Sequence, residues 1–417
     1  MNLFKKNIFW VINIILLSSI FRVFLLDLVE FKSDEAITVY QMIQFFDSPH
    51  LIERGLISGT GVYNFPLFSY LMIPLSLWSR DPMILSGVIA VINSLLIGAF
   101  FLFVRRYYNL MTAVFSSLLL AFSPWGVIFS RKIWAQDLIF LLFIPFLWLL
   151  HELILKKNSK VIFPLFILLA LLIQLHGSGL FLFAVTIIIF LIMRIRTNPG
   201  RAICGFFVGL IPIVPYIVFQ LGSIPSCPDC EAFMKYQQSI RSVDFNNLFR
   251  PFQIISGLGY HFVLGKNYSD FIAIYPVINQ LKYIFTLGGL GILAGLFFVF
   301  FKKQKNIFLV IYFISIPLLY FITKTSAYMH YFVIILPISV LLFAIFVTET
   351  YSFVKKRFLK VLTIGIFLIF LGSNILFIYF FNSFLYNKKD IEGDYGPIYF
   401  LTRDRIEKGM KNDSILK

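Results

Sequence analysis

The chain has 417 residues, of which 59% are hydrophobic and only 13% charged, against roughly 45–50% and about 25% in soluble globular domains. Such a composition excludes a soluble enzyme fold, and the formal net charge of +16 has no water-facing domain to carry it as a nucleic-acid surface. Apolar stretches that approach the ~20 residues a bilayer-crossing helix needs recur along most of the length, so the expected class is an all-α polytopic membrane protein.

Taken in chain order, the apolar stretches predict about eleven spans, at 7–26, 84–104, 109–123, 135–151, 161–175, 178–193, 203–221, 278–301, 307–323, 329–348 and 361–381. The first follows Lys5 and Lys6 and has no small-residue cleavage site behind it. It reads as a retained anchor with a cytoplasmic N-terminus. Residues 63–79 are apolar too, but are interrupted by Pro66 and Pro74 and read as an interfacial segment. The short pair 161–175 and 178–193 could instead form a shallow hairpin, which leaves the parity of later loops unchanged.

Charge supports this alternation. It places Lys5, Lys6, Arg105, Arg106, Lys156, Lys157, Lys160, Arg194, Arg196, Arg201, Lys302, Lys303, Lys305, Lys355, Lys356, Arg357 and Lys360 inside, with only Glu152 and Glu349 opposing them. The net charge is then the positive-inside bias of short cytoplasmic loops, and no nucleic-acid partner is expected. Counting 63–79 as a span would put the later clusters outside. Four parts follow: a transmembrane core at 1–221 with its first outer loop at 27–82, a large outer loop at 222–277, C-terminal helices at 278–381, and an outer tail at 382–417. The inner loops are too short for a nucleotide-binding domain, and no Gly-rich phosphate loop occurs. Chemistry is therefore expected outside, at the plasma membrane, without ATP or a nucleotide-sugar.

The first outer loop opens with Asp34 and Glu35. Adjacent acids diverge on any regular backbone, so one of them at most faces a given reacting atom, and a carboxylate partly desolvated at the membrane surface gains the basicity of a general base. The competing role is local, since Ser33 or Asp34 would also cap a helix beginning near Ala36. Arg131, Lys132 and Asp137 share a short outer loop, where two cations run against the positive-inside bias. A phosphate at headgroup depth would explain them, as would lipid headgroups with Trp134 as an interfacial anchor.

Later outer turns add His176, in Gln174-Leu175-His176-Gly177-Ser178, and the group Lys324, Tyr328, His330 and Tyr331. The histidine suits a phosphate or sugar hydroxyl, or merely its turn; the aromatic rings suit sugar faces as well as the membrane interface. Cys227 and Cys230 lie in the large outer loop, where a Cys-x-x-Cys pair is expected as a small disulfide, while Cys204 falls in a span.

Asp34-Glu35 soon after the first span, Tyr63-Asn64-Phe65-Pro66-Leu67-Phe68 in an interfacial helix, Ser130-Arg131 followed by Asp137-Leu138, and the Gln174-Leu175-His176 turn together resemble the dolichyl-phosphate-mannose protein mannosyltransferases. With the lipid A aminoarabinose transferases, these are membrane glycosyltransferases of the GT-C fold. The resemblance covers the first ~220 residues best, as spacing and topology rather than a long motif. It departs at Phe65-Pro66, where the family has Pro-Pro, and no soluble carbohydrate-binding domain is present.

The resemblance implies transfer of a sugar from a polyprenyl-phosphate carrier to a protein, lipid or glycan acceptor, with Asp34 as the catalytic acid residue and Glu35 its partner. Arg131, Lys132 and Lys324 would meet the donor phosphate, with His176, Asp137, Tyr328, His330 and Tyr331 near the substrates. No cofactor is firmly implied, and a divalent cation between Asp34 and the phosphate stays open. The rival classes are a polyprenyl-linked glycan flippase or transporter, which places charges near the midplane, and a polysaccharide polymerase.

Overall fold

A computed structural model of the chain describes residues 3–59, 61–222, 230–232, 234–235, 243–302 and 304–403. Its helices are α1 (Leu3–Val23), α2 (Ser33–Asp47), α3 (Leu67–Leu75), α4 (Pro82–Tyr107), α5 (Leu110–Phe122), α6 (Pro124–Ile128), α7 (Ile139–Leu155), α8 (Ile162–Leu175), α9 (Ser178–Ile192), α10 (Pro199–Gly209) and α11 (Val214–Gly222). After several short turns come α12 (Val277–Lys302), α13 (Ile307–Ile322), α14 (Leu336–Phe353) and α15 (Arg357–Lys388). Local sequence sets the starts. Asp81 Oδ1 accepts the N–H groups of Met83 and Ile84 at 2.8 and 3.2 Å to cap α4, Asn109 caps α5 and Asn198 caps α10. Pro82 and Pro199 occupy the first turns of α4 and α10, where a missing N–H costs nothing.

Among the described residues, six segments are long and apolar enough to cross a membrane: Pro82–Tyr107, Ala135–Leu155, Pro199–Gly222, Val277–Lys302, Leu336–Phe353 and Arg357–Lys388. Every other expected span has an apolar helix too; α1 runs 21 residues in all, but Leu110–Phe122, Ser159–Leu175, Ser178–Ile192 and Ile307–Ile322 are shorter. At 1.5 Å per residue these rise only about 20–26 Å, less than the ~30 Å hydrocarbon core. Eleven equal crossings are therefore not what the helices offer. The expected span at 329–348 also starts later, at Leu336, with a single 3-10 turn at Met329–Phe332 before it. Within 63–79 the helix is nine residues with Pro74 inside it, far too short to span.

Helix α14 is the best-buried of the long helices and packs against α5, α12 and α15. Close approach is bought by small residues: a methyl group at Gly295 of α12 would stand 2.1 Å from the Leu342 carbonyl oxygen, and one at Gly205 of α10 would stand 2.3 Å from that of Phe163 on α8. Arg22, fully buried, ties α1 to the end of α5. Its guanidinium donates to the carbonyls of Ala121, Leu120 and Gly126 at 2.9–3.1 Å, which are the carbonyls a helix end leaves unpaired. That clamp fixes where the chain leaves α1, and so where residues 24–35 begin.

The C-terminal tail, expected as a mere extension, is a strap as far as it is described. Strands β1 (Asp390–Ile391) and β2 (Gly396–Pro397) form a small hairpin, whose end runs beside residues 28–31. Phe31 N–H donates to the Pro397 carbonyl at 3.1 Å, Tyr399 N–H to that of Val29 at 2.8 Å, and the Tyr395 hydroxyl to that of Leu28 at 2.7 Å. Of the expected disulfide pair, Cys227 lies outside the described residues, as do tail positions beyond 403.

Candidate active site

Three chain segments build one corner of the bundle: residues 24–35, the loop 129–138, and the strap. The first turns sharply at Leu25, which adopts φ 57°, runs extended along the strap, and enters α2 at Ser33. The cap of α2 is Lys32, earlier than the sequence suggests, and Glu35 completes it by accepting the Lys32 backbone N–H on Oε2 at 3.0 Å. Glu35 is thereby buried, 1% exposed. Asp34 is not needed as a cap and lies half-buried beside it.

In the second segment, Asp137 Oδ1 accepts the backbone N–H groups of Arg131 and Lys132 at 2.9 and 2.8 Å. The Asn93 side-chain amide holds the same loop through the carbonyls of Ser130 and Asp137. Asp137 thus shapes the loop, and the loop delivers Lys132. Its Nζ stands 2.5 Å from Glu30 Oε2 and 3.4 Å from Glu35 Oε1, and Lys32 Nζ takes the other Glu30 oxygen at 2.6 Å while also donating to the Asp394 carbonyl of the strap. Trp134 closes over the Lys132 ammonium, 4.1 Å from Nζ to the ring centre.

Electrostatics separate these groups. Burial works to strip the Lys132 proton, but the carboxylates of Glu30, Glu35 and Asp137 override it and hold the amine's pKa well above its ordinary value. Asp34 is raised above the usual aspartate range, first by burial and then by the charge of Glu35, with Lys132, Lys32 and the Trp134 indole acting against them. Burial raises Glu30 to about 7 and Asp137 to about 8 as well, so what sets Asp34 apart from them is that it stays partly open.

Opposite the acids stands an aromatic wall. His330 packs 4.8 Å from the Trp134 ring, 5.9 Å from Tyr328 and 6.1 Å from His176, and His176 lies 5.1 Å from Tyr331. The two distant turns are thus brought together. The Ser178 hydroxyl lies 2.8 Å from His176 Nδ1, and burial pushes this imidazole down to about 4, which keeps it neutral near pH 7. Between the wall and Glu30 lies a small cleft lined by Glu30, Lys132, Trp134, Tyr328 and His330 with Tyr395 of the strap, and Asp34 stands outside that lining.

Two other expected phosphate ligands sit differently. Arg131 is 2% exposed, and its guanidinium donates to the Phe24 carbonyl at 3.1 Å and to Asn382 Oδ1 at 3.3 Å, joining α1 to α15. Lys324 is exposed with φ 54°. Sequence reasoning missed Glu30, whose only signal was an acid four residues beyond the first expected span. It missed Arg250 as well, a buried cation in an Arg-Pro pair of the large loop. Arg250 bonds Asp244 through Nη2 at 3.1 Å, while its Nε and Nη1 have no partner among the described residues. Its guanidinium lies 5.0 Å from the ring centre of Phe262, a residue of the cleft lining. Among the described residues, no group of three or more His, Cys, Asp or Glu side chains is placed to hold a metal ion.

No protein-family model and no curated protein matches the chain. Solved structures do. The oligosaccharyltransferase of Archaeoglobus fulgidus, in complex with Zn and sulfate, superposes with a TM-score of 0.54 at 12% identity, over 90% of this chain and 53% of that one. The same oligosaccharyltransferase tethered by a disulfide bond to an acceptor peptide containing the NVT sequon gives 0.50 at 14% identity, over 94% and 56%. The chain spans about half the length of that enzyme. At such identity the likeness is one of fold, and it agrees with the membrane glycosyltransferase fold that the sequence resembles.

Proposed function

We propose that the chain is a membrane glycosyltransferase that moves a sugar, a hexose such as mannose, from a polyprenyl-phosphate carrier to an acceptor hydroxyl, with inversion. One observation carries the reading. Asp34 is half open and raised in basicity, while the acids grouped with it around Lys132, Glu30, Glu35 and Asp137, are buried and committed to Lys32, Lys132 and the loop backbone. The fold shared with an oligosaccharyltransferase supports the class.

In the step so assigned, the acceptor oxygen forms its bond to the anomeric carbon as its proton passes to the Asp34 carboxylate. The bond from that carbon to the carrier phosphate breaks, and the phosphate leaves with the electron pair. Its charge needs donors already in place. Arg250, with two unused N–H groups near Phe262, meets that need better than Arg131, and Lys132 contributes from the acid side. His330, Trp134 and Tyr328 offer ring faces to the sugar. The positive clusters at the opposite loops support a plasma-membrane orientation with this corner on the extracytoplasmic side. A protein, lipid or glycan acceptor fits equally.

The test is transfer of radiolabelled sugar from polyprenyl phosphate by the full chain in nanodiscs, with Asp34→Asn beside wild type. Transfer that vanishes in the variant supports the reading. Wild-type rates in Asp34→Asn reject it, and carrier movement across proteoliposomes without sugar transfer would favour a flippase.

A further inference from the structure

Glu30, Asp34, Glu35 and Asp137 crowd one corner, and their charges reach one another through Lys132. Paired carboxylates such as Glu30 and Glu35 ordinarily attract a divalent cation, which completes its shell with further carboxylate, carbonyl or water oxygens at 2.0–2.6 Å, although no three of these acids are placed to hold one as they stand. Here the centre of the cluster is already filled by an ammonium group. Lys132, 4% exposed, places Nζ 2.5 Å from Glu30 Oε2 and 3.4 Å from Glu35 Oε1. Lys32 occupies the other Glu30 oxygen at 2.6 Å. The second oxygen of Glu35 is spent on the Lys32 backbone, and Oδ1 of Asp137 on two N–H groups. Among the described residues Glu35 Oε1 and Asp137 Oδ2 accept no hydrogen bond, but a metal ion entering between Glu30 and Glu35 would stand beside a fixed positive charge.

The lysine is held there by construction. Asp137 and Asn93 fold its loop, and the Trp134 ring covers its head. Lysine is a compact point charge with three donors on a flexible stem, able to stand between several carboxylates as a small cation does.

We propose that Lys132 is the resident cation of this site: its ammonium group supplies the positive charge that a divalent ion would bring, and sugar transfer proceeds without a metal. The activity arm of this inference rests on the glycosyl-transfer reading; the occupancy arm does not. Removing the ammonium while leaving the carboxylates should open a metal site where none exists.

Terbium reports occupancy directly, because a Tb³⁺ ion bound in the place of Lys132 Nζ would lie against the Trp134 ring and glow when tryptophan is excited. The full chain in nanodiscs should give no Trp134-dependent terbium emission, the Trp134→Phe protein serving as blank, and its transfer rate should be unchanged by EDTA. Lys132→Ala should gain saturable, Mn²⁺-displaceable emission and lose on the order of 100-fold in rate, as removal of a preorganised electrostatic group does, with part of the loss restored by Mn²⁺. The double variant Glu30→Gln/Lys132→Met, which neutralises the pair together, should gain no emission.

Trp134-dependent emission in wild type, or inactivation by EDTA reversed by Mn²⁺, would overturn the proposal, as would a monodisperse Lys132→Ala protein that binds no terbium. If that variant does not fold, the wild-type measurements decide. If wild type transfers no sugar, terbium still decides occupancy and the glycosyl-transfer reading alone fails.

Discussion

Asp34 and Glu35, neighbours on the first turn of α2, meet opposite surroundings: Glu35 is buried against the Lys32 backbone and the Lys132 ammonium, and Asp34 remains half-buried with a raised pKa. Their roles should therefore separate in measurement. Asp34→Asn should lose about 10²–10⁴ in transfer rate, the usual cost of a general base, with an unchanged melting temperature in detergent. Glu35→Gln should do the reverse in emphasis, with a smaller rate defect and a lower melting temperature, because it weakens both the cap of α2 and an ion pair at a buried site. A larger rate defect at Glu35 than at Asp34 would exchange the two roles.

The raised pKa of Asp34 gives the pH profile a sign. A base works deprotonated, so kcat should fall as pH drops through a pKa above the ordinary aspartate value, and stay level above it. Burial and Glu35 cause the elevation. Glu35→Gln should therefore move the acid limb toward lower pH, which a rate profile in mixed buffers would show.

His176 makes an independent pH prediction, for stability rather than rate. Its folded-state pKa, pushed to about 4 by burial, lies below the ordinary value of about 6.5. The unfolded chain therefore binds the extra proton first, and stability present above pH 6.5 is lost as pH falls toward the folded value. Melting temperature should drop between pH 7 and 5 in wild type, and drop less in His176→Gln.

The strap makes a fourth prediction. Tyr395 lines the cleft and donates to the Leu28 carbonyl, and the Asp394 carbonyl receives Lys32. Ending the chain at Lys389 removes both contacts and the Tyr395 wall of the cleft, and uncovers Glu30. Transfer should be abolished while the bundle still elutes as a monodisperse peak. Tyr395→Phe, which keeps the ring but loses the hydroxyl's bond to the Leu28 carbonyl and its contact with the Arg131 guanidinium, should cost about 1.5–3 kcal/mol of stability.

What the sequence disclosed follows from what carries a local signal. Apolar length located the helices, and charges out of place located Asp34-Glu35 and Arg131-Lys132, because an acid or base beside a span is costly enough to stand out. Length near the threshold did not tell Leu110–Phe122, at 13 residues, from a full crossing. Glu30 was overlooked because its meaning is a contact with Lys132 across 102 positions. Arg131 reads in sequence as a phosphate ligand because basic residues in an outer loop suggest one, and only its distant partners Phe24 and Asn382 reveal that its donors are used. The strap has strands of two residues, too short for any alternation to announce them.

Arg250 offers the sharpest division among the basic residues. Buried cations are ordinarily paired and their donors used, yet only the Nη2 arm of Arg250 meets Asp244, and Nε and Nη1 are left without partners among the described residues. A donor phosphate would satisfy both. Losing a charge-assisted hydrogen bond costs about 1.5–3 kcal/mol, so Arg250→Ala should raise the donor KM by roughly one to two decades, with the acceptor KM much less affected. Arg250→Lys should recover little, since a single ammonium cannot reproduce the two-pronged geometry of the guanidinium. Lys324→Ala, at an exposed position, should leave the donor KM within about twofold, the size of effect an exposed charge contributes. Arg131→Ala should lower the melting temperature, because it frees the Phe24 carbonyl and Asn382 inside the packed bundle. Donor and acceptor titrations of the four variants, each checked by thermal melting, separate these outcomes. An unchanged donor KM in folded Arg250→Ala would return the phosphate to Lys132 and Lys324.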